Sequence, residues 1–246
     1  MIKRRYQVKK LLLAVDCIIF GYDDDGLKLL VIERGFEPLK GAWSLVGGFV
    51  KETESVEDAA NRVLHALTGL EGVYMEQMRV FSAPDRDCEE RTVVVAFFAL
   101  IDIKKYQQQI SSGYHAKWVS INDYPELIFD HNVMVEMAKE QLRYRAALHP
   151  LLFELLPEKF TIPQAQQLFE ELYNVSFDPG NFSRKLTSTN MLIKQTERDK
   201  LSSKKGAFYY KLDSKKYKDG FSTFLNFVYK PEFKKKDAKS TKTKDK

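Results

Sequence analysis

Cysteine is nearly absent from this chain, and long apolar runs are absent altogether. Two cysteines, Cys17 and Cys88, among 246 residues make neither a disulfide framework nor a metal-ligand cluster. No stretch of eighteen apolar residues occurs, so nothing in the sequence is built to span a bilayer. The N-terminus opens with the basic run Met1-Ile2-Lys3-Arg4-Arg5, but the apolar run Leu11 to Val15 is cut by Asp16. That run is too brief for a secretory h-region, and no small-residue cleavage site follows it. The expected address is the cytoplasm, with no membrane partner, and the composition calls for no cofactor and no metal.

The length exceeds the usual size of one domain, so two are expected, and 44% hydrophobic with 13% aromatic residues supplies cores for both. Charge divides the chain the same way. From His149 onward twenty Lys and Arg face twelve Asp and Glu, whereas the preceding residues carry nineteen against twenty-two. A mildly acidic front joined to a basic back suits a sensor coupled to a polyanion binder. The expected division is a basic lead-in over 1–10, a first domain over 11–148, a second over 149–229 and a lysine-rich disordered tail over 230–246. Phe221 to Tyr229 packs on the second domain or on another subunit.

In the first domain, strands are expected over Leu11–Phe20, Leu27–Glu33, Tyr74–Ser82, Arg91–Ile103 and Ala116–Ile121, with a helix over Asn132–Leu148. Between them lies GGFVKETESVEDAANRVLHALTGL. Gly48, Glu54, Arg62, Leu64, Gly69 and Leu70 keep the frame of the Nudix box, G-x5-E-x7-R-E-U-x-E-E-x-G-U, without a gap. Val63, Ala66 and Leu67 stand where that motif has glutamates. Magnesium and similar hard cations need oxygen ligands, which these three cannot give. Together with Val56, Ala59 and Ala60 they recur at helical spacing and suit one apolar face of a packed helix. Glu52, Glu57 and Asp58 read as solvated acids at a helix N-terminus. The competing reading is a hydrolase whose metal ligands have moved to Glu52, Glu54, Glu57 and Asp58.

The second domain opens with a short apolar helix over Leu151–Leu156. A further helix starts at a capping box made by Thr161 and Gln164. Another opens with Asp178 as N-cap, Pro179 at N1 and Phe177 and Phe182 at the hydrophobic-staple positions. Phe182 and Leu186 leave Asn181, Ser183, Arg184, Lys185 and Ser188 to face outward, as in a helix-turn-helix. The turn Ser202-Ser203-Lys204-Lys205-Gly206 and the strand Ala207–Leu212 then read as a wing whose lysines reach DNA phosphates. The alternative is a small protein-docking domain with a charged hairpin.

A mixed α/β (α+β) chain, in which a Nudix-like sandwich lacking its glutamates precedes a winged helix-turn-helix, resembles the Nudix-related transcriptional regulators of the NrtR type. The runs DCIIFGY, RGFEP, WSLVGGFV, ESVEDAANRVL, LTGLEGVYMEQ, DRD, IFDH and SSKKGAFYYK place the resemblance closest to the sugar-responsive branch that controls arabinose use. That resemblance implies a homodimeric repressor without catalytic activity. It would bind a palindromic double-stranded DNA operator and release it when a pentose such as L-arabinose fills the first domain. Other branches sense ADP-ribose. Candidate ligand-binding residues are Asp16, Trp43, Ser44, Asp85, Arg86, Arg91, Asp130 and His131. Candidate DNA-binding residues are Asn181, Ser183, Arg184, Lys185, Ser188, Lys204 and Lys205.

Overall fold

The structure, a computed structural model, describes residues 10–23, 25–35, 37–87, 89–106, 108–110, 115–148, 151–200, 206–213 and 215–216. Its organising strand is β1 (Leu12–Asp23), buried from Ala14 to Tyr22. It pairs in parallel with β6 (Thr92–Asp102) from Leu12–Thr92 to Tyr22–Asp102. Both strands are apolar on both faces because the sheet is covered on both sides, the condition under which strands lose their polar alternation. β5 (Glu76–Phe81) lies antiparallel on the far edge of β6. On the other edge of β1 two strands share the ladder. β2 (Gly26–Glu33) takes the Phe20–Asp23 half, and β4 (Val46–Phe49) takes Ala14–Cys17. β2 continues away from β1 to pair with β3 (Trp43–Ser44) and β7 (Ala116–Ser120). The sheet is therefore split along β1, and a cleft opens between the diverging strands.

Successive residues of β1 point into separate cores. Val15, Cys17 and Ile19 meet Ala59, Ala60, Val63 and Leu64 of α1 (Val56–Thr68) on one face. Ala14, Ile18 and Phe20 meet Met134, Val135, Ala138 and Leu142 of α3 (His131–Leu148) on the other. A four-residue helix, α2 (Ile103–Tyr106), follows β6. The second part of the chain has a 3-10 turn (Leu151–Glu154), β8 (Phe160–Thr161), α4 (Ile162–Tyr173), α5 (Pro179–Ser188), β9 (Leu192–Asp199) and β10 (Ala207–Leu212). Its sheet runs β8-β10-β9. Two helices followed by a two-stranded wing make it a winged helix.

The expected helix starts are present with the expected chemistry. Thr161 and Gln164 satisfy each other's backbone N–H groups in a capping box, and the Asp178 carboxylate accepts from Asn181 N at 2.7 Å. The staple rings of Phe177 and Phe182 lie 5.5 Å apart. Other expectations need correcting. Leu151–Leu156 is not a helix beyond its 3-10 turn. The Trp43–Phe49 run, for which no strand is expected from the sequence, forms β3 and β4 because its backbone completes the edges left by β2 and β1. A sequence read for apolar period does not reveal strands of two and four residues. The 149–150 boundary, the Lys204–Lys205 tip, Cys88 and residues from 217 onward lie outside the described residues.

The two domains share one core. A single apolar cluster runs from Ala14, Ile18 and Phe20 through α3 to Phe153, Phe160, Phe169 and Phe182. Polar clips reinforce it: Arg143 Nε donates to Leu172 O at 2.7 Å, Tyr173 OH to Arg143 O at 2.9 Å and Asn122 Nδ2 to Glu171 O at 2.9 Å. The Glu171 carboxylate also accepts from Leu27 N near the start of β2. Gly26, at φ 118°, leaves the space that this carboxylate fills. Phe169→Ala should cost about 3–5 kcal/mol, as for other buried aromatics. Because the core is continuous, both domains should still melt in one transition, seen as superimposed circular dichroism and Trp fluorescence curves.

Candidate functional site

The Gly-rich start of the box is shaped by its neighbours. A Cβ on Gly47 would sit 1.9 Å from Asp16 Oδ1, and one on Gly48 would sit 3.0 Å from Val63 Cγ2. These glycines let the β4 backbone close over a carboxylate on one side and over α1 on the other. Ser55 and Asp58 form a capping box at the start of α1, and Gly69, at φ 78°, ends it in the left-handed conformation. The box therefore encodes a helix with both ends specified. Arg62 binds both Glu54 oxygens, at 2.9 and 2.5 Å, and Phe49 O at 2.9 Å. The pair braces the 49–54 loop against α1.

At the positions of the lost glutamates, Val63 is buried in the α1 core, whereas Ala66 is exposed and Leu67 half-buried. The expected packed face therefore holds for Val63 and in part for Leu67, which packs against the same core, and fails at Ala66. Ala66 and Leu67 form part of the wall of a cavity of about 760 Å³ in the cleft beside β1. The alternative carboxylate set does not converge on this wall. Glu54 is taken by Arg62 and Lys51 N, Asp58 by Ser55, and Glu52 and Glu57 are exposed. Among the described residues no group of three or more His, Cys, Asp or Glu is placed to hold a metal ion.

The floor of the cavity is polar and buried. Leu12, Ala14 and Asp16 present one side of β1 to it. Asp16 lies 3.8 Å from Arg86 Nη2 and 3.4 Å from His131 Nε2. Arg86, only 8% exposed, makes a bidentate pair with Asp130 at 3.1 and 2.6 Å. Leu45 N donates to His131 Nδ1 at 3.2 Å. That bond assigns the imidazole proton to Nε2, facing Asp16. Ser44 Oγ lies 3.5 Å from the same Nδ1 and donates to Leu45 O at 2.9 Å. A buried guanidinium held by two carboxylates satisfies the rule that interior charges are paired.

Of the eight candidate ligand residues, the fold brings Asp16, Ser44, Arg86 and His131 to the cavity lining. Asp130 stands behind, orienting Arg86. Trp43 does not line the cavity: as a β3 residue opposite Glu33 it packs on the α3-side core, with Lys117 Nζ 5.9 Å from its ring. Asp85 is exposed and also outside the lining. Arg91 is occupied by the carbonyls of Ser82, Ala83 and Thr92, which close the β5–β6 loop. Sequence reasoning missed Arg34, Glu33, Glu37, Glu89, Glu90 and His115, which also line the cavity. They come from three segments far apart in the chain, and no spacing rule connects them.

On the second domain, Asn181, Arg184, Lys185 and Ser188 are exposed on α5, while Ser183 is half-buried. Arg184 donates to Asn181 Oδ1 at 2.6 Å, and Ser188 Oγ turns back to Lys185 O at 2.7 Å. Phe182 and Leu186 anchor the opposite side of the helix in the core. No helix among the described residues is long and apolar enough to cross a membrane.

The Glu54–Arg62 brace has a pH signature. Its hydrogen bonds from Arg62, then that from Lys51 N, hold the Glu54 carboxyl at about 2, below its ordinary 4.5. Because the folded value is depressed, the contribution is full above the unfolded value and lost as pH falls toward 2. A carboxyl NMR titration should place the Glu54 midpoint near 2, and Glu54→Gln should remove that part of the acid dependence of stability.

Residues 10–140 match the NUDIX domain family, and residues 152–212 match the family described as the NrtR DNA-binding winged helix domain. The chain is 30% identical over 220 residues to the ADPR-responsive transcriptional repressor NtrR of Acinetobacter baylyi, covering 88% of each chain. It is 33% identical over 135 residues to the ADP-ribose pyrophosphatase of Methanocaldococcus jannaschii, covering 54% of this chain and 73% of that one. Among solved structures, Shewanella oneidensis NrtR complexed with a 27mer DNA superposes with a TM-score of 0.65 at 32% identity, over 84% of this chain and 95% of that one. The order of the two domains and the kinship across both of them place this chain in the NrtR family.

Proposed function

We propose that the protein is a DNA-binding transcriptional repressor, dimeric and cytoplasmic, whose Nudix domain binds a small effector and does not hydrolyse it. The observation that carries this reading is the continuity between cavity and winged helix. His131, the first residue of α3, faces Asp16 on the cavity floor. At the other end of the same helix Arg143 is clipped to Leu172 and Tyr173 of α4. An eighteen-residue helix spans roughly 27 Å, so a ligand that rearranges Asp16, Arg86 and His131 acts on the base of the reading head. Effector binding then shifts the population toward an arrangement whose α5 helices no longer match successive major grooves of an operator. DNA contact is assigned to Asn181, Arg184 and Lys185 of α5 and to the lysine-tipped wing.

Kinship to the ADPR-responsive repressor of Acinetobacter favours ADP-ribose as effector. The arabinose-responsive branch to which the sequence runs pointed gains nothing from the relatives. A second reading, an uncharged sugar such as L-arabinose, rests on the lining itself. Asp16, Glu33, Glu37, Asp87, Glu89 and Glu90 surround the cavity, and one of its two arginines, Arg86, is already committed to Asp130. A diphosphate entering such a wall without a bridging cation meets like charge. Val63, Ala66 and Leu67 offer no oxygen with which to hold one.

A thermal-shift panel separates the two readings. Binding to the native state alone adds about 2.7 kcal/mol of stability at a hundredfold excess over Kd. A shift with ADP-ribose and none with pentoses is the expected result; a shift with L-arabinose alone would move the effector to the second reading. Sustained hydrolysis of ADP-ribose with magnesium or manganese would overturn the non-catalytic assignment. Tyr173→Phe tests the linkage. It removes the hydroxyl bond to Arg143 at a stability cost of about 1 kcal/mol. Effector affinity should be retained, while the effector-induced loss of DNA binding, read by fluorescence anisotropy, should shrink.

A further inference from the structure

The turn between α4 and α5 holds an aromatic ring within reach of solvent. Phe177, the residue before the Asp178 cap, donates its N–H to Glu170 Oε1 at 2.7 Å, and its carbonyl accepts from Gln166 Nε2 at 3.0 Å. Gln166 Nε2 also donates to Glu170 Oε1 at 2.8 Å. Both backbone groups of Phe177 are thereby tied to α4, so the root of its side chain is set before any ligand arrives. Its ring leans on Phe182, 5.5 Å away, and Phe182 meets Phe169 at 5.9 Å. Phe169 and Phe182 are buried, whereas Phe177 is half-buried.

These three rings wall a hollow of about 230 Å³, and Ser176, Asp178, Asn181 and Lys185 line the rest of it. Asn181 and Lys185 are assigned above to DNA contact, so the hollow opens beside the reading face of α5. Donors are available at its rim. Asn181 spends its Oδ1 on Arg184, which leaves its Nδ2 donors unused among the described residues. Lys185 is exposed and makes no ion pair among the described residues. The Asp178 carboxylate is already turned to Asn181 N at 2.7 Å. Phenyl rings offer nothing to a phosphate oxygen, but they suit the apolar group of the major groove. That group is the C5-methyl of thymine, and the O4 acceptor of the same base lies beside it. Cytosine in its place has no methyl and presents an N4 donor. Rings next to free donors complement the first base and not the second.

We propose that Phe177, with Phe182 and Phe169 behind it, receives the C5-methyl of a thymine in the bound duplex, while Asn181 or Lys185 meets the O4 of that base. The proposal rests on the DNA-binding reading above and adds a specificity-determining residue that lies ahead of α5. Phe177 is the contact. Gln166 and Glu170 are positioning residues, because they pin the turn that carries it. The turn thus selects a base by its apolar shape, where the polar face of α5 selects by hydrogen bonds.

The test subtracts the methyl from the DNA. A duplex enriched from a random-sequence pool by the full-length protein is remade with each thymine in turn replaced by deoxyuridine, and affinity is read by fluorescence anisotropy. At one thymine or more, uracil should weaken binding of the parent protein several-fold. Cytosine there should weaken it further, and 5-methylcytosine, which restores the methyl alone, should recover part of that loss. Phe177→Ala should bind the thymine and uracil duplexes alike. If loss of the staple unfolds that variant, Phe177→Leu keeps an apolar staple and should narrow the difference. A duplex with no methyl-sensitive thymine, or a sensitivity that the Phe177 variants leave unchanged, overturns the thymine reader while the DNA-binding reading stands. A parent protein that binds no duplex at any salt concentration overturns both.

Discussion

Arg86 is a charge in the interior, and much of the first domain is arranged around that fact. Moving a guanidinium out of water costs several kcal/mol unless its charge and its donors are met. Here they are met by Asp130 in a bidentate pair and by Asp16 at longer range. Those partners sit on β1 and at the turn into α3, and the arginine itself comes from the β5–β6 loop. One residue therefore ties together three segments widely separated in sequence. His131 extends the network by bridging Asp16 to the backbone of Leu45. Gly47 permits it, because a side chain there would occupy the place of the Asp16 carboxylate. A network with each member partnered fixes the shape of a cavity more sharply than apolar packing does.

On the function proposed above, this construction serves a sensor rather than a hydrolase. The Nudix scaffold retains its helix caps, its Glu54–Arg62 brace and its paired glycines. The positions that would hold carboxylates carry Val63, Ala66 and Leu67, two of which form cavity wall. The polar groups on the cavity floor are Asp16, Ser44, Arg86 and His131. α3 then supplies a route outward: its first turn lies in the Asp16–Arg86–His131 network and its last turns grip α4. The apolar core runs without a break across the same boundary. Packed interiors shift between discrete arrangements more readily than they deform continuously, so a rearrangement at the cavity has a rigid element through which to act.

Local chemistry was legible in the sequence wherever neighbours in the chain decide the outcome. Thr161 with Gln164, Asp178 with Pro179 and Phe177 with Phe182 each act over at most five residues, and each appears as read. The winged helix followed from these starts and from the strand after the wing. The site was legible only in part. Asp16, Ser44, Arg86 and His131 line the cavity, but Trp43, Asp85, Arg91 and Asp130 do not. Trp43 shows why: a tryptophan just ahead of a Gly-Gly pair can face a ligand or a core, and the pairing of Glu33 with Trp43 decides which.

The sequence by itself determined the two domains, their order, the frame of the Nudix box and the loss of its glutamates, since each is written in short-range pattern or in residue type. Tertiary structure alone decided that β2 and β4 part along β1 and leave a cleft between them. It also decided that Arg86 is spent on Asp130 and that both domains share one core. Each of these depends on contacts between segments tens of residues apart. Their register is set by which apolar surfaces can be buried together, and no local spacing records that choice.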